Sequence, residues 1–128
     1  MMSLFLQKEH RLYPLTEKIW SACVQHPDCF GGERSLVTEV MKVAGSDVLI
    51  KNGAEGVYFF ASKKHEIVVA LKVRDGATRA SEAAVLALLN HYLGFDLNTS
   101  YFSEKLSLRN WAKTTIGEIQ VVLDPNVH

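Results

Sequence analysis

Apolar residues at Leu15, Ile19, Ala22 and Cys23, with His26 ending the series, recur at the three- and four-residue spacing of one helix face. Pro14 suits a first helical turn, where a missing N–H costs nothing, and Pro27 closes the segment, so a helix is predicted over residues 14–26. Beyond a turn at Gly31-Gly32, the stripe resumes through Leu36, Val37, Val40, Met41 and Ala44, and Gly45 offers a left-handed stop. A second helix is expected at about 34–44.

From Asp47 onward the pattern shortens to β-branched and aromatic runs, Val48–Lys51, Val57–Ala61 and Glu66–Val73, each the length of a strand. Asn52–Gly56 and Ser62–His65 are short polar connections, so the three runs are read as an antiparallel meander. Asp75 or Thr78 can cap a following helix whose body is Ala80–Leu93, stopped by Gly94. That helix is apolar on most faces, which implies burial between two layers. Residues 96–113 are mixed and read as loop-rich, while Ile116, Ile119 and Val121–Leu123 suggest a last strand pairing with the meander. No repeat or linker divides the chain, so one domain over 1–128 is expected. Its class is α+β, an antiparallel sheet of about three to five strands packed against helices.

Composition narrows the chemistry. Lys plus Arg and Asp plus Glu are 14 each in 128 residues, so no general charge draws the chain to nucleic acid or an anionic membrane. No apolar run is long enough to span a bilayer, and charges at Lys8 and Glu9 interrupt the first segment, so a soluble cytoplasmic protein is expected. Two cysteines are too few for a disulfide framework, and reduced thiols are the default.

The most informative residues are Lys51-Asn52-Gly53-Ala54-Glu55-Gly56-Val57-Tyr58, Ala70-Leu71-Lys72 and Asp75-Gly76-Ala77-Thr78-Arg79-Ala80. His26-Pro27, Gly31-Gly32-Glu33-Arg34 and Thr38-Glu39-Val40-Met41 precede them; Asn110 and Ile116-Gly117-Glu118-Ile119 follow. In this order and spacing they resemble the bacterial L-asparaginase II family over about residues 14–120, the later part of a full family member. That fold is similar to the serine β-lactamases, in which a related Lys-Thr-Gly strand borders the catalytic serine. Asn52 stands where that threonine would.

The resemblance implies that Lys51 partners a serine in an active site. An ammonium at a strand end beside glycines, Gly53 and Gly56 here, can hold a carboxylate or polarise a hydroxyl. It implies too that Asn52 and Gly53 border the substrate, that Glu55 and Arg79 organise the loops and that Asp75 supports the turn. The plainer reading of Glu55, Asp75 and Arg79 is capping and surface pairing.

Amide hydrolysis needs an activated nucleophile, which the resemblance would place in Ser-x-x-Lys, and no Ser-x-x-Lys occurs in this sequence. The family's Cys-Ser-Gly-Lys-His segment, with its metal-associated cysteine, is also absent, as is a glycine-flanked cysteine before Pro14-Leu15. Ser35, Ser46, Ser62 and Ser81 suit turns and caps better than nucleophilic duty. Cys23, His26 and Cys29 have ligand types that zinc accepts, but two lie on a helical stripe and Pro27 restricts the path to the third, so no metal and no other cofactor is expected. Trp20, Tyr58, Phe59, Phe60 and Trp111 lack basic interleaving and read as packing, and His65 as solvated turn surface.

Two functions follow. One is an asparaginase-like amidohydrolase component, acting on asparagine or glutamine, with its serine from another polypeptide. The other is a non-catalytic, self-associating small-molecule binding or interaction domain. A homodimer or a complementing nucleophile-bearing half is the expected protein partner.

Overall fold

The computed structural model describes residues 6–96 and 98–124. The opening residues 1–5, part of the segment read above for a leader, and Leu97, within the stretch read as loop-rich, lie outside the described residues. The architecture is α+β, with α1 (Tyr13–Gln25), α2 (Pro27–Gly31), α3 (Leu36–Ala44), β1 (Val48–Gly53), β2 (Val57–Ser62), β3 (Ile67–Lys72), α4 (Thr78–Leu93), α5 (Ser100–Leu106), β4 (Ser107–Arg109) and β5 (Thr115–Glu118). Among the described residues no helix is long and apolar enough to cross a membrane.

β1, β2 and β3 form the expected antiparallel meander in the order β1-β2-β3. The register sets Ile50 opposite Phe60 and Phe60 opposite Val69, while Lys51, Phe59 and Ala70 share the other face. Ile50 and Phe60 are fully buried, in one core with Val37, Val40 and Met41 of α3 and Val85, Leu86 and Leu89 of α4. α3 packs on β1, and α4 on β2 and β3.

The helix ends follow local chemistry. Ser35 caps α3, its hydroxyl accepting the Thr38 N–H at 3.1 Å, so the helix begins at Leu36 rather than 34. Pro27 does more than close α1: it opens α2, because a helix's first turn needs no N–H there. Neither proposed cap of α4 serves. Ala77 holds the N-cap position, Thr78 is the first helical residue, and the Asp75 carboxylate accepts the Ala77 N–H at 2.9 Å in the preceding turn. Trp20 fastens α1 to the body, its buried indole N–H donating to the Ser46 carbonyl at 2.9 Å beneath the Lys63 ammonium, 4.5 Å from the ring.

The carboxy-terminal expectations need correction. Residues 96–113 include α5, capped by Thr99, and β4. The last strand, β5, pairs with β4 in a separate two-stranded sheet and not with the meander, and Ile119 to Leu123 lie outside any strand. A local hairpin is the cheaper closure: Asn110 and Thr114 bond across a short turn, so little loop entropy opposes the pairing.

At the other end of the meander, Gly56 is buried with φ of 69°, and a Cβ there would lie 2.3 Å from Val73 Cγ2 and 3.1 Å from the Gly76 carbonyl carbon. Gly94, with φ of 61°, has nothing within 4 Å of such a carbon. Gly94→Ala therefore meets only the left-handed backbone, about 1–2 kcal/mol. Gly56→Ala adds overpacking, roughly 1–3 kcal/mol more. Urea unfolding of both variants checks the order, and equal losses would contradict it.

Candidate active site

β1 is an edge strand whose last three residues leave the core: Lys51 is half-buried, and Asn52 and Gly53 are exposed. Lys51 Nζ donates to Asn52 Oδ1 at 2.9 Å, a contact between neighbouring residues that the free edge permits. The ammonium also stands 5.6 Å from the centre of the Phe30 ring, which brings the end of α2 to the Lys51 side chain. No described carboxylate forms a salt bridge with Lys51.

The loop after Lys51 is tied to the turn before α4. Val73 N–H donates to the Gly56 carbonyl at 3.1 Å, and Gly56 lies so close to Gly76 that a Cβ added to it would stand 3.1 Å from the Gly76 carbonyl carbon. Glu55, with φ of 55°, offers its carbonyl to Lys72 Nζ at 2.8 Å and its carboxylate at 3.8 Å. Glu55 and Asp75 thus stand in the two joined loops. Arg79, exposed in the first turn of α4, has no ion pair with any described residue, and nothing brings it against Glu55 or Asp75.

The serines considered as substitutes for the nucleophile are engaged elsewhere. Ser62 is fully buried, its hydroxyl donating to Asp47 Oδ2 at 2.9 Å and lying 3.0 Å from His65 Nδ1. A serine, histidine and aspartate meet there, but the oxygen that would attack has no access to solvent. Asp47 Oδ1 accepts the Lys64 N–H at 2.6 Å, so the group locks the β2–β3 turn. His65, read as solvated surface, is exposed yet held in that lock. Ser81 is buried and bonds back to the Thr78 carbonyl, Ser35 caps α3, and Ser46 is an exposed turn residue.

Cys23, His26 and Cys29 do share a surface, lining with Ala22 and Phe30 a shallow depression of about 230 Å³. Both thiols are free, and burial pushes that of Cys23 above its ordinary range. Among the described residues no group of three or more His, Cys, Asp or Glu is arranged to hold a metal ion.

Residues 1–121 match the family model of L-asparaginase II. The chain belongs to the L-asparaginase II family. The match takes in the segment before Pro14 as well as the motifs around Lys51, and no curated protein matches the chain. Lys51, Asn52, Gly53, Glu55, Asp75 and Arg79 all lie within the stretch that this family relationship covers.

One polar cluster of this asparaginase-family chain has no counterpart in the sequence reading. Lys105 Nζ on α5 donates to both carboxylate oxygens of Glu82 on α4, each at 3.1 Å, and lies 5.6 Å from the Tyr101 ring centre. The Tyr101 hydroxyl in turn donates to the Arg34 carbonyl at 2.9 Å. Burial works to lower the Lys105 pKa, but the Glu82 hydrogen bond and charge outweigh it and leave it raised. Tyr58 is raised far above the usual phenol range by burial and then by the Glu82 charge, and Tyr101 is raised by burial. The 82–105 pair is 23 residues apart, and no periodicity or motif joins it.

A phenol raised in the folded state stabilises it fully below its unfolded pKa of about 10, and that stability is lost as pH climbs through the folded value. The urea midpoint should fall between about pH 8 and pH 11, and fall less in Tyr58→Phe. Parallel pH profiles of the two proteins would show that Tyr58 carries none of the effect.

Proposed function

We propose that this chain supplies the lysine side of an L-asparaginase-like amidohydrolase site, in which asparagine or glutamine is the substrate and another polypeptide brings the nucleophilic serine. The observation that carries the reading is Lys51: an ammonium on an open edge strand, within the family-matched stretch, engaged by a neutral amide and an aromatic ring and by no described carboxylate. A cation so partnered keeps donors for a substrate carboxylate or a serine oxygen. The absence of Ser-x-x-Lys from the sequence requires the serine to come from outside it.

Hydrolysis adds water across the side-chain amide, breaking its C–N bond and releasing ammonia with aspartate from asparagine or glutamate from glutamine. The serine oxygen would attack the amide carbon, its proton leaving with the amide nitrogen as ammonia, and water would then cleave the acyl ester to free the acid and the serine, with Lys51 holding that oxygen or the substrate carboxylate. Asn52 orients the ammonium, Gly53 gives the backbone a close approach, and the joined loops of Glu55 and Asp75 hold the strand end. Arg79, exposed in the first turn of α4, organises the loop that follows Asp75 under this reading. Under this reading the chain is a single domain working in the cytoplasm with its cysteines reduced.

A non-catalytic, self-associating domain is the second reading, favoured by exposed apolar side chains: Leu12 at the start of α1, Leu15 and Ile19 along it, and Trp111, fully exposed at the β4–β5 turn.

Ammonia release from asparagine and glutamine separates the two. The chain alone should release none, and addition of a Ser-x-x-Lys-bearing polypeptide should produce activity that Lys51→Ala lowers by roughly a hundredfold or more. Lys51→Arg should recover little of it, because the branched planar guanidinium does not place its donors where the compact ammonium stands beside Asn52 Oδ1. Complemented activity indifferent to Lys51→Ala would defeat the first reading.

A further inference from the structure

β3 has a neighbour on one side only among the described residues. Val73 N–H donates towards β2, so the alternation of an antiparallel ladder turns the backbone groups of Val68, Ala70 and Lys72 away from it. All three residues are exposed. Ile67–Leu71 holds no charge, proline or glycine, none of the devices that blunt a free edge, and its backbone is a template for another strand. β1, the other edge, differs: Lys51 interrupts it and its end is polar.

The charges of this segment stand only at its ends, Glu66 before the strand and Lys72 at its close. That polarity selects the occupant. We propose that β3 is the surface through which two copies of the chain associate, β3 pairing antiparallel with β3 of the second copy about Val69, in one sheet with three strands from each copy.

In that register Val68 faces Ala70 of the second copy, and both present backbone groups outward, as a hydrogen-bonded pair requires. Ile67 faces Leu71, and the half-buried Ile67, Val69 and Leu71 stay on the core-packed face in both copies. Glu66, in the turn just before β3 with φ of 55°, comes to the Lys72 end of the second copy, so symmetry brings opposite charges together at both ends of the seam. Glu66 has no ion pair with a described residue, and Lys72, its side chain 54% exposed, keeps donors beyond the one given to Glu55. Parallel pairing would instead set Glu66 beside Glu66 and Lys72 beside Lys72. This interface deepens the self-associating reading and needs nothing of Lys51, so ammonia release does not bear on it.

Solution mass by sedimentation of the full chain and three variants tests it. The wild type should be a dimer. Ala70→Pro removes an outward N–H at a position where an edge strand accepts proline, and should yield a monomer with unchanged circular dichroism. Glu66→Lys should weaken the dimer by roughly tenfold, and Glu66→Lys with Lys72→Glu should restore it. A monomeric wild type, or a dimer that survives Ala70→Pro, overturns the proposal. Failure of the double exchange to rescue overturns the register. Association only with a Ser-x-x-Lys-bearing polypeptide would give the edge to that partner and exclude a second copy.

Discussion

Phe60 lies between Ile50 and Val69 at the middle of the sheet, fully buried, and the rest of the molecule is arranged around that packing. A strand has a side-chain period of two, so a slip of one residue would carry Lys51 into the core and Ile50 out of it. Burying an unpaired ammonium costs far more than any contact it could gain there. The apolar match of Ile50, Phe60 and Val69 therefore places Lys51 on the opposite face, beside Phe59 and Phe30, without any interaction that selects the lysine for itself.

The two ends of the meander are secured by different chemistry. At the Lys51 end the Gly56–Gly76 approach joins two loops through backbone alone. At the far end the Asp47 carboxylate receives the Ser62 hydroxyl and the Lys64 N–H, a polar lock in a turn with no buried polar side chain left unsatisfied among the described residues. Both ends of the strand bearing Lys51 are therefore closed by specific contacts.

The helical layer is divided in a similar way. α3 and α4 bury apolar residues against the sheet, whereas α5 is joined to α4 through the Glu82–Lys105 pair as well as through Phe102. Partly buried ion pairs contribute little net stability beside apolar packing, but they penalise misdocked arrangements that leave one charge alone. α5 follows a connection with little periodic pattern of its own, and such a pair gives its docking a specific answer.

Long periodic segments were legible in the sequence. α1, α3, α4 and the three-stranded meander fall within a few residues of the spacing-based expectation, because periods of 3.6 and 2 record which face is buried. The short elements were not legible: α5 has seven residues and β4 three, too few for a period to show, and β5 chose its partner by loop length rather than by its own composition. At the candidate site, residue types and order were enough to single out Lys51, Asn52, Gly53, Glu55 and Asp75 and to establish the lack of Ser-x-x-Lys. Tertiary structure decided the remainder, because contacts are made between residues distant in sequence: Phe30 beside Lys51, Gly76 against Gly56, Ser62 sealed from solvent and, among the described residues, Arg79 without an ion pair and β3 with one side open.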